Sequence, residues 1–187
     1  MTEHETLKAT GTVRGIYFSL GTTPIKDPKF DCAGAIIDLF NQTKKTAHVA
    51  IYSLTEPSIV DAVIAAHKRG VEVAIVTDNT ESKNSYMATM IQKLVQAGVN
   101  VRLAIHQTAL MHNKIGIFDG QTVATGSFNW TKSAETRNDE NLIIIDGKDV
   151  AADYEKYVFD RILKNETLVS PNIKQFSTKV DHYIEKN

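Results

Sequence analysis

The stretch HVAIYSLTEPSIVDAVIAAHKRGVEVAIVT, residues 48–77, decides the fold class. Its first part, His48–Leu54, is apolar and partly β-branched, the composition of a strand. Thr55, Glu56 and Pro57 then read as a helix start, because proline's fixed φ and missing N–H suit the first turn. The helix runs to Arg69, and Gly70 stops it as a residue that takes the left-handed conformation without penalty. Val71–Thr77 follows as a near-continuous apolar run, the pattern of a strand covered on both faces. Strand, helix and strand with short connections make a parallel α/β unit.

Working outward, Val13–Leu20 reads as a strand and Gly21–Phe30 as a loop rich in turn residues. Asp31 can cap a helix over Cys32–Thr43, where Ala35, Ile36, Leu39 and Phe40 recur at helical spacing. The polar segment 78–84 leads into an amphipathic helix, Ser85–Ala97, with Met87, Met90, Ile91, Leu94 and Val95 on one face. Val99–Ile105 is a further strand. The alternation then breaks. Lys114–Phe118 and Thr122–Thr125 read as strands on either side of Asp119-Gly120-Gln121, a tight hairpin signal. Asn141–Ile145 is another strand, and Asp149–Asn165 a helix with Tyr154, Tyr157, Val158 and Ile162 facing inward. Ile173, Phe176, Val180 and Ile184 recur at helical spacing and predict a helix in a C-terminal extension, 166–187. No repeat or linker divides the chain. The expectation is one domain over 1–187, core about 12–165, of the α/β class, with a mixed central β-sheet flanked by helices on both faces.

Composition narrows the function only a little. A formal net charge of -1 gives no global basic field, though a local basic cleft remains compatible with it. The lone cysteine, Cys32, excludes an intrachain disulfide and a cysteine zinc cluster, and its apolar setting predicts a buried thiol rather than a nucleophile. The opening MTEHETLKATGTVRG has no apolar core of a signal peptide, and no apolar run is long enough for a membrane span, which predicts a cytoplasmic protein without stable membrane association.

The chemistry is concentrated in His112-x-Lys114-x4-Asp119-x6-Gly126-Ser127-x-Asn129, which occurs once. On an extended chain His112 and Lys114 share a face, so an imidazole and an ammonium can meet one phosphate. Ser127 and Asn129 again share parity and add a hydroxyl and an amide as neutral donors. Gly126 permits close approach of backbone to phosphate. Asp119 falls at the turn, and its expected role is structural, through side chain to backbone hydrogen bonds. No carboxylate cluster or H-x3-H accompanies His112, so no metal and no cofactor are expected. Trp130 is a candidate stacking surface for a base, against packing in the wall of the site. Lys132 and Arg137 are candidates for tracking a nucleic acid backbone, against ordinary surface charge. His106 reads as a surface or packing residue, His48 and His67 as structural or exposed, Lys44-Lys45 as a solvated helix end. Lys83 lies in a loop where parallel strands often present ligands.

The motif resembles the HKD signature of the phospholipase D superfamily. The resemblance extends over roughly Val13 to Asn165, carried by Tyr17-Phe18-Ser19, by AIYSLTEPSIVDAVIAAHKRGVEVAIVTD and by MHNKIGIFDGQTVATGSFNWTKSAETRNDENLIII. Single-motif bacterial endonucleases of the Nuc type look similar across this span, and the same pattern occurs in catalytic domains of certain restriction enzymes and in mitochondrial cardiolipin hydrolases. The resemblance implies a homodimer in which His112 of both subunits meet at a two-fold axis, one as nucleophile and one as general acid. It implies that Lys114 and Asn129 bind the phosphate. It further implies that Glu140, in Asn138-Asp139-Glu140-Asn141, orients a catalytic histidine. The leading expectation is a metal-independent endonuclease acting on DNA, single-stranded DNA or RNA through a phosphohistidine. A lipid phosphodiesterase, a binding module with a relic site, and the cleaving domain of a restriction or defence complex are the alternatives.

Overall fold

The computed structural model describes residues 9–21, 27–105, 109–165 and 167–171. His106 and most of the expected C-terminal helix lie outside them. The strands are β1 (Thr12–Leu20), β2 (Thr46–Ile51), β3 (Glu72–Asp78), β4 (Asn100–Ile105), β5 (Lys114–Phe118), β6 (Thr122–Gly126), β7 (Asp139–Asp146) and β8 (Thr167–Val169). They form one sheet in the order β1-β7-β6-β5-β2-β3-β4-β8. Pairing is parallel among β2, β3 and β4 and antiparallel elsewhere, so the sheet is mixed.

Helices α1 (Cys32–Gln42), α2 (Pro57–Lys68), α3 (Ser85–Gln96) and the short α4 (Lys132–Thr136) pack on one face. Helices α5 (Lys148–Tyr154) and α6 (Asp160–Asn165) cover part of the other. The doubly covered reading of β3 holds: Val73 and Ile75 enter the first core and Val76 the second. Helix boundaries follow their local chemistry. Asp31 caps α1 by accepting from the Gly34 N–H, and Glu56 precedes Pro57 at the start of α2. Gly70, at φ 92°, ends that helix.

Three elements differ from the sequence reading. The expected helix 149–165 is interrupted by a π turn, Glu155–Phe159. His48 explains it: the Glu155 carboxylate lies 2.6 Å from His48 Nδ1 while the Phe159 ring stacks on the imidazole at 4.7 Å. The wider turn lets both residues reach one ring and shifts the helical phase behind it. Phe159 is therefore buried, and Tyr157, expected inside, is 44% exposed. The extension from 166 begins as a short strand, β8, antiparallel to β4, that the sequence reading did not include; it precedes the stretch expected as helix. Helix α4 is too short for a periodic signal; Thr131 caps it by accepting from Ala134 N–H.

Asp119 and Gly120 make the β5–β6 turn at φ 53° and 61°, the mirror-image geometry that a two-residue hairpin favours. The Asp119 carboxylate reaches across to a different junction: it accepts from the backbone N–H groups of Lys44, Lys45 and Thr46, where α1 passes into β2. Burial raises its pKa, but these hydrogen bonds outweigh that and hold it below the usual aspartate value. Asp119→Ala should cost roughly 2 kcal/mol in denaturant unfolding, the scale of hydrogen bonds to a charged acceptor. Because the folded pKa is depressed, the contribution is present above the unfolded value and fades as pH falls through the folded one. The wild-type advantage over Asp119→Ala should therefore persist at pH 7 and shrink in acid; an advantage unchanged at low pH would contradict the carboxylate's role.

The sheet sets the site's position. The C-terminal ends of β1, β2, β3, β4 and β6 and the N-terminal ends of β5 and β7 lie along one edge, as the pairs Leu20↔Asp139, Gly126↔Leu142 and Ile51↔Lys114 require.

Candidate active site

The segment before β5 is held by two backbone clamps on either side of His112. Asp78, at the end of β3 and 2% exposed, accepts from Met111 N–H through Oδ2 at 3.0 Å. Its Oδ1 accepts from Thr80 and Glu81 N–H. On the other side, Tyr52 N–H donates to the Asn113 carbonyl at 2.8 Å. His112 between them is exposed, with its ring 4.7 Å from the Tyr52 ring. Neither Asp78 nor Tyr52 was singled out in the sequence, although Asp78 ends a parallel strand, where such sheets present ligand-binding groups.

Lys114 opens β5 and is 8% exposed. Its Nζ donates to the His112 carbonyl at 2.8 Å and lies 5.1 Å from the Tyr52 ring centre. Burial lowers its pKa, and the Glu140 charge pushes back the other way. The two motif side chains are therefore brought to the same aromatic ring, although His112 precedes the strand instead of belonging to it.

Ser127 and Glu140 are joined. Ser127 Oγ donates to Glu140 Oε2 at 2.5 Å and accepts from Asn141 N–H, while Asn138 Nδ2 donates to Glu140 Oε1. The hydroxyl expected to face a phosphate instead fixes a carboxylate. Asn129 is half-buried, and its Oδ1 has no hydrogen-bond partner among the described residues. Such an orphan is costly unless a ligand or water meets it. At Gly126 a Cβ would fall 2.2 Å from the Asn141 carbonyl oxygen, so the absence of a side chain is required by the close approach of β7.

Trp130, considered as a stacking surface, is 1% exposed. Its ring meets Phe40 edge-on at 5.9 Å. Its backbone N–H donates to the Ser53 carbonyl, and its own carbonyl accepts from the Thr55 and Glu56 N–H groups. It cannot stack on a base; it anchors the loop carrying Asn129 to the end of β2. Lys132 and Arg137, at the start and C-cap of α4, are exposed, as is Lys83. Cys32 is fully buried, and burial with neighbouring carboxylates pushes its thiol up to about 12, which removes it as a nucleophile. His67 is structural in position, with a buried Nδ1 that has no partner among the described residues.

A cleft of roughly 550 Å³ lies at the opposite end of the sheet, lined by Arg14, Thr122 and Asp146 among others. Those three side chains are already paired with one another. Among the described residues no group of three or more His, Cys, Asp or Glu side chains is arranged to hold a metal. The arrangement at the His112 end instead offers an exposed imidazole, a desolvated ammonium, the half-buried side-chain amide of Asn129, whose NH2 can donate, and a fixed carboxylate. That set suits nucleophilic attack on a charged tetrahedral centre.

Residues 36–163 match the family model described as cardiolipin synthase, PLD-like domain. The chain is 32% identical over 126 residues to a mitochondrial cardiolipin hydrolase of Chlamydomonas reinhardtii, covering 67% of this chain and 55% of that protein. It is 32% identical over 134 residues to a phospholipase D of Rickettsia prowazekii, covering 72% of this chain and 64% of that protein. It thus spans between half and two thirds of the length of these relatives. Among solved structures, Nuc from Salmonella typhimurium, a phospholipase D family member, superposes with a TM-score of 0.75 at 26% identity, over 87% of this chain and 100% of that one. Fold and matched span agree, with His112 and Lys114 of the motif at one sheet end: the chain belongs to the phospholipase D superfamily.

Proposed function

We propose that the protein is a metal-independent nuclease that hydrolyses DNA, with RNA as a further substrate, as a homodimer with a shared site. The observation that carries this reading is the match to Nuc along that protein's whole length. The cardiolipin hydrolase, in contrast, extends well beyond the matched region. The exposed cations Lys83, Lys132 and Arg137 belong to loops and the short helix at the catalytic end, where they can meet a polyanion.

The mechanism has two steps. A His112 ring nitrogen attacks phosphorus, and the bond to the leaving oxygen breaks as the second His112, from the other subunit, protonates it. Water then attacks the phosphohistidine. The second histidine takes its proton, the phosphorus–nitrogen bond breaks, and free His112 returns. Lys114 and Asn129 hold the phosphoryl oxygens. Ser127 acts through Glu140, whose fixed carboxylate orients a histidine.

One chain contributes one His112, so the mechanism needs a second copy. Edge strand β1 supports such a contact. Ile16, Phe18 and Leu20 alternate with the inward-facing Tyr17 and Ser19 and leave a large apolar stripe exposed, with Ile16 at 50%. The stripe runs to the sheet end that carries Glu140, which pairs with Ser19.

A lipid substrate is the second reading, favoured by the names of the cardiolipin hydrolase and phospholipase D relatives. No described helix is long and apolar enough to cross a membrane. Cleavage of single- and double-stranded DNA, RNA and cardiolipin, each in excess chelator, separates the two. Nucleic acid cutting that survives chelator is expected. Turnover of cardiolipin alone would transfer the protein to the lipid reading, and loss of all activity in chelator would overturn the histidine mechanism.

A further inference from the structure

We propose that Tyr52 is a positioning residue for this reaction: its ring is a shared plate that orients the His112 imidazole and holds the Lys114 ammonium. The proposal rests on the histidine chemistry above, but not on whether the diester is nucleic acid or lipid.

Tyr52 follows the last residue of β2 at the catalytic end of the sheet. Its backbone is tied on two sides: the N–H donates to the Asn113 carbonyl at 2.8 Å, and the carbonyl accepts from Thr77 Oγ1 at 3.2 Å. The next residue is tied as well. Ser53 Oγ donates to Glu81 at 2.9 Å, and the Ser53 carbonyl accepts from Trp130 N–H. The plate is therefore mounted on a fixed base. Two functional side chains meet it, His112 with ring centres 4.7 Å apart and planes at 57°, and Lys114 with Nζ 5.1 Å from the ring centre. Among the described residues no other aromatic ring contacts either of them.

This contact has work to do on each partner. His112 is exposed, so without a neighbouring surface its ring would sample several rotamers. Lys114 is nearly buried, and burial lowers its pKa. The negative face of an aromatic ring favours the charged amine there and so keeps an ammonium available for a phosphate. The Tyr52 phenol is itself raised, first by burial and then by the Glu81 and Asp78 charges. It stays protonated, so the ring acts as a neutral plate rather than as a second acid or base in the reaction.

The test compares Tyr52→Phe with Tyr52→Leu in the full chain. It uses bis(4-nitrophenyl) phosphate, a diester that is neither nucleic acid nor lipid, beside NMR titration of the His112 ring protons, assigned by their loss in His112→Ala. Tyr52→Phe keeps the plate and should stay within about twofold of wild type. Tyr52→Leu keeps bulk but loses the π face; kcat should fall by roughly tenfold, the scale of a partly desolvated cation–π contact. Its alkaline limb should move to lower pH as Lys114 loses support, and the His112 ring signals should shift as the ring current disappears. A Leu variant with wild-type kcat and unmoved His112 signals would overturn the proposal. So would a Phe variant as impaired as Leu, because the hydroxyl would then be the acting group. If wild type leaves the diester intact while the His112 signals move as described, the plate stands and the phosphodiesterase reading falls.

Discussion

His112→Ala is expected to lower phosphodiester cleavage by about four orders of magnitude or more, the usual loss when a covalent nucleophile is removed. Folding should survive. The imidazole is exposed and packs against the Tyr52 ring; the loop around it is held by the Met111 N–H donating to the Asp78 carboxylate and by the Tyr52 N–H donating to the Asn113 carbonyl, which the substitution leaves in place. A thermal melt close to wild type beside lost turnover separates chemistry from stability. The mechanism makes a second demand. Rapid acid-free quenching of wild type with substrate should trap a phosphorylated histidine that is labile in acid and absent from His112→Ala. Cleavage by the variant at even a few percent of wild type would remove His112 from the nucleophile role. The same holds for a covalent adduct that persists in the variant.

Much of this was legible in the sequence because it depends on local rules. Gly70 ends its helix, Pro57 begins it, and Lys114–Phe118 is a strand with the expected bounds, each set by residues a few positions apart. Asp119 was read as a structural residue, and it is one. Its target, however, is a junction more than seventy positions upstream, and turn chemistry says nothing about that. Trp130 shows the limit most clearly. Its neighbour Asn129 suggested a substrate contact, but the ring packs on Phe40 in the core while Ser53 ties its backbone, and both partners are distant in sequence. Asp78 and Tyr52 were passed over for the same reason. Their importance lies in pairings with Met111, Asn113, His112 and Lys114 that exist only once β2, β3 and β5 are neighbours. The π turn is a tertiary effect as well, set by His48 on a strand, while the local sequence reads as unbroken helix.

Charging the β1 stripe is expected to abolish activity without touching any motif residue. Phe18→Asp together with Ile16→Asp places two carboxylates on an exposed strand face, directed away from the core that Tyr17 and Ser19 help to form. Each monomer therefore keeps its packing, and unfolding in denaturant should move by no more than about 1 kcal/mol, the usual scale for surface substitutions clear of special contacts. An isologous contact is far more sensitive, because every substitution enters it twice and brings like charges together across the two-fold axis. The variant should run as a monomer in sedimentation and cleave at less than about one percent of the wild-type rate, since a lone subunit has a nucleophile and no second histidine to protonate the leaving group. A matched control strengthens the inference. Tyr86→Asp alters another exposed aromatic, on α3, and should leave assembly unchanged. If the doubly charged β1 variant remains a fully active dimer, the subunits meet through another face. If it becomes an active monomer, the shared site is wrong, and one His112 must serve as both nucleophile and acid.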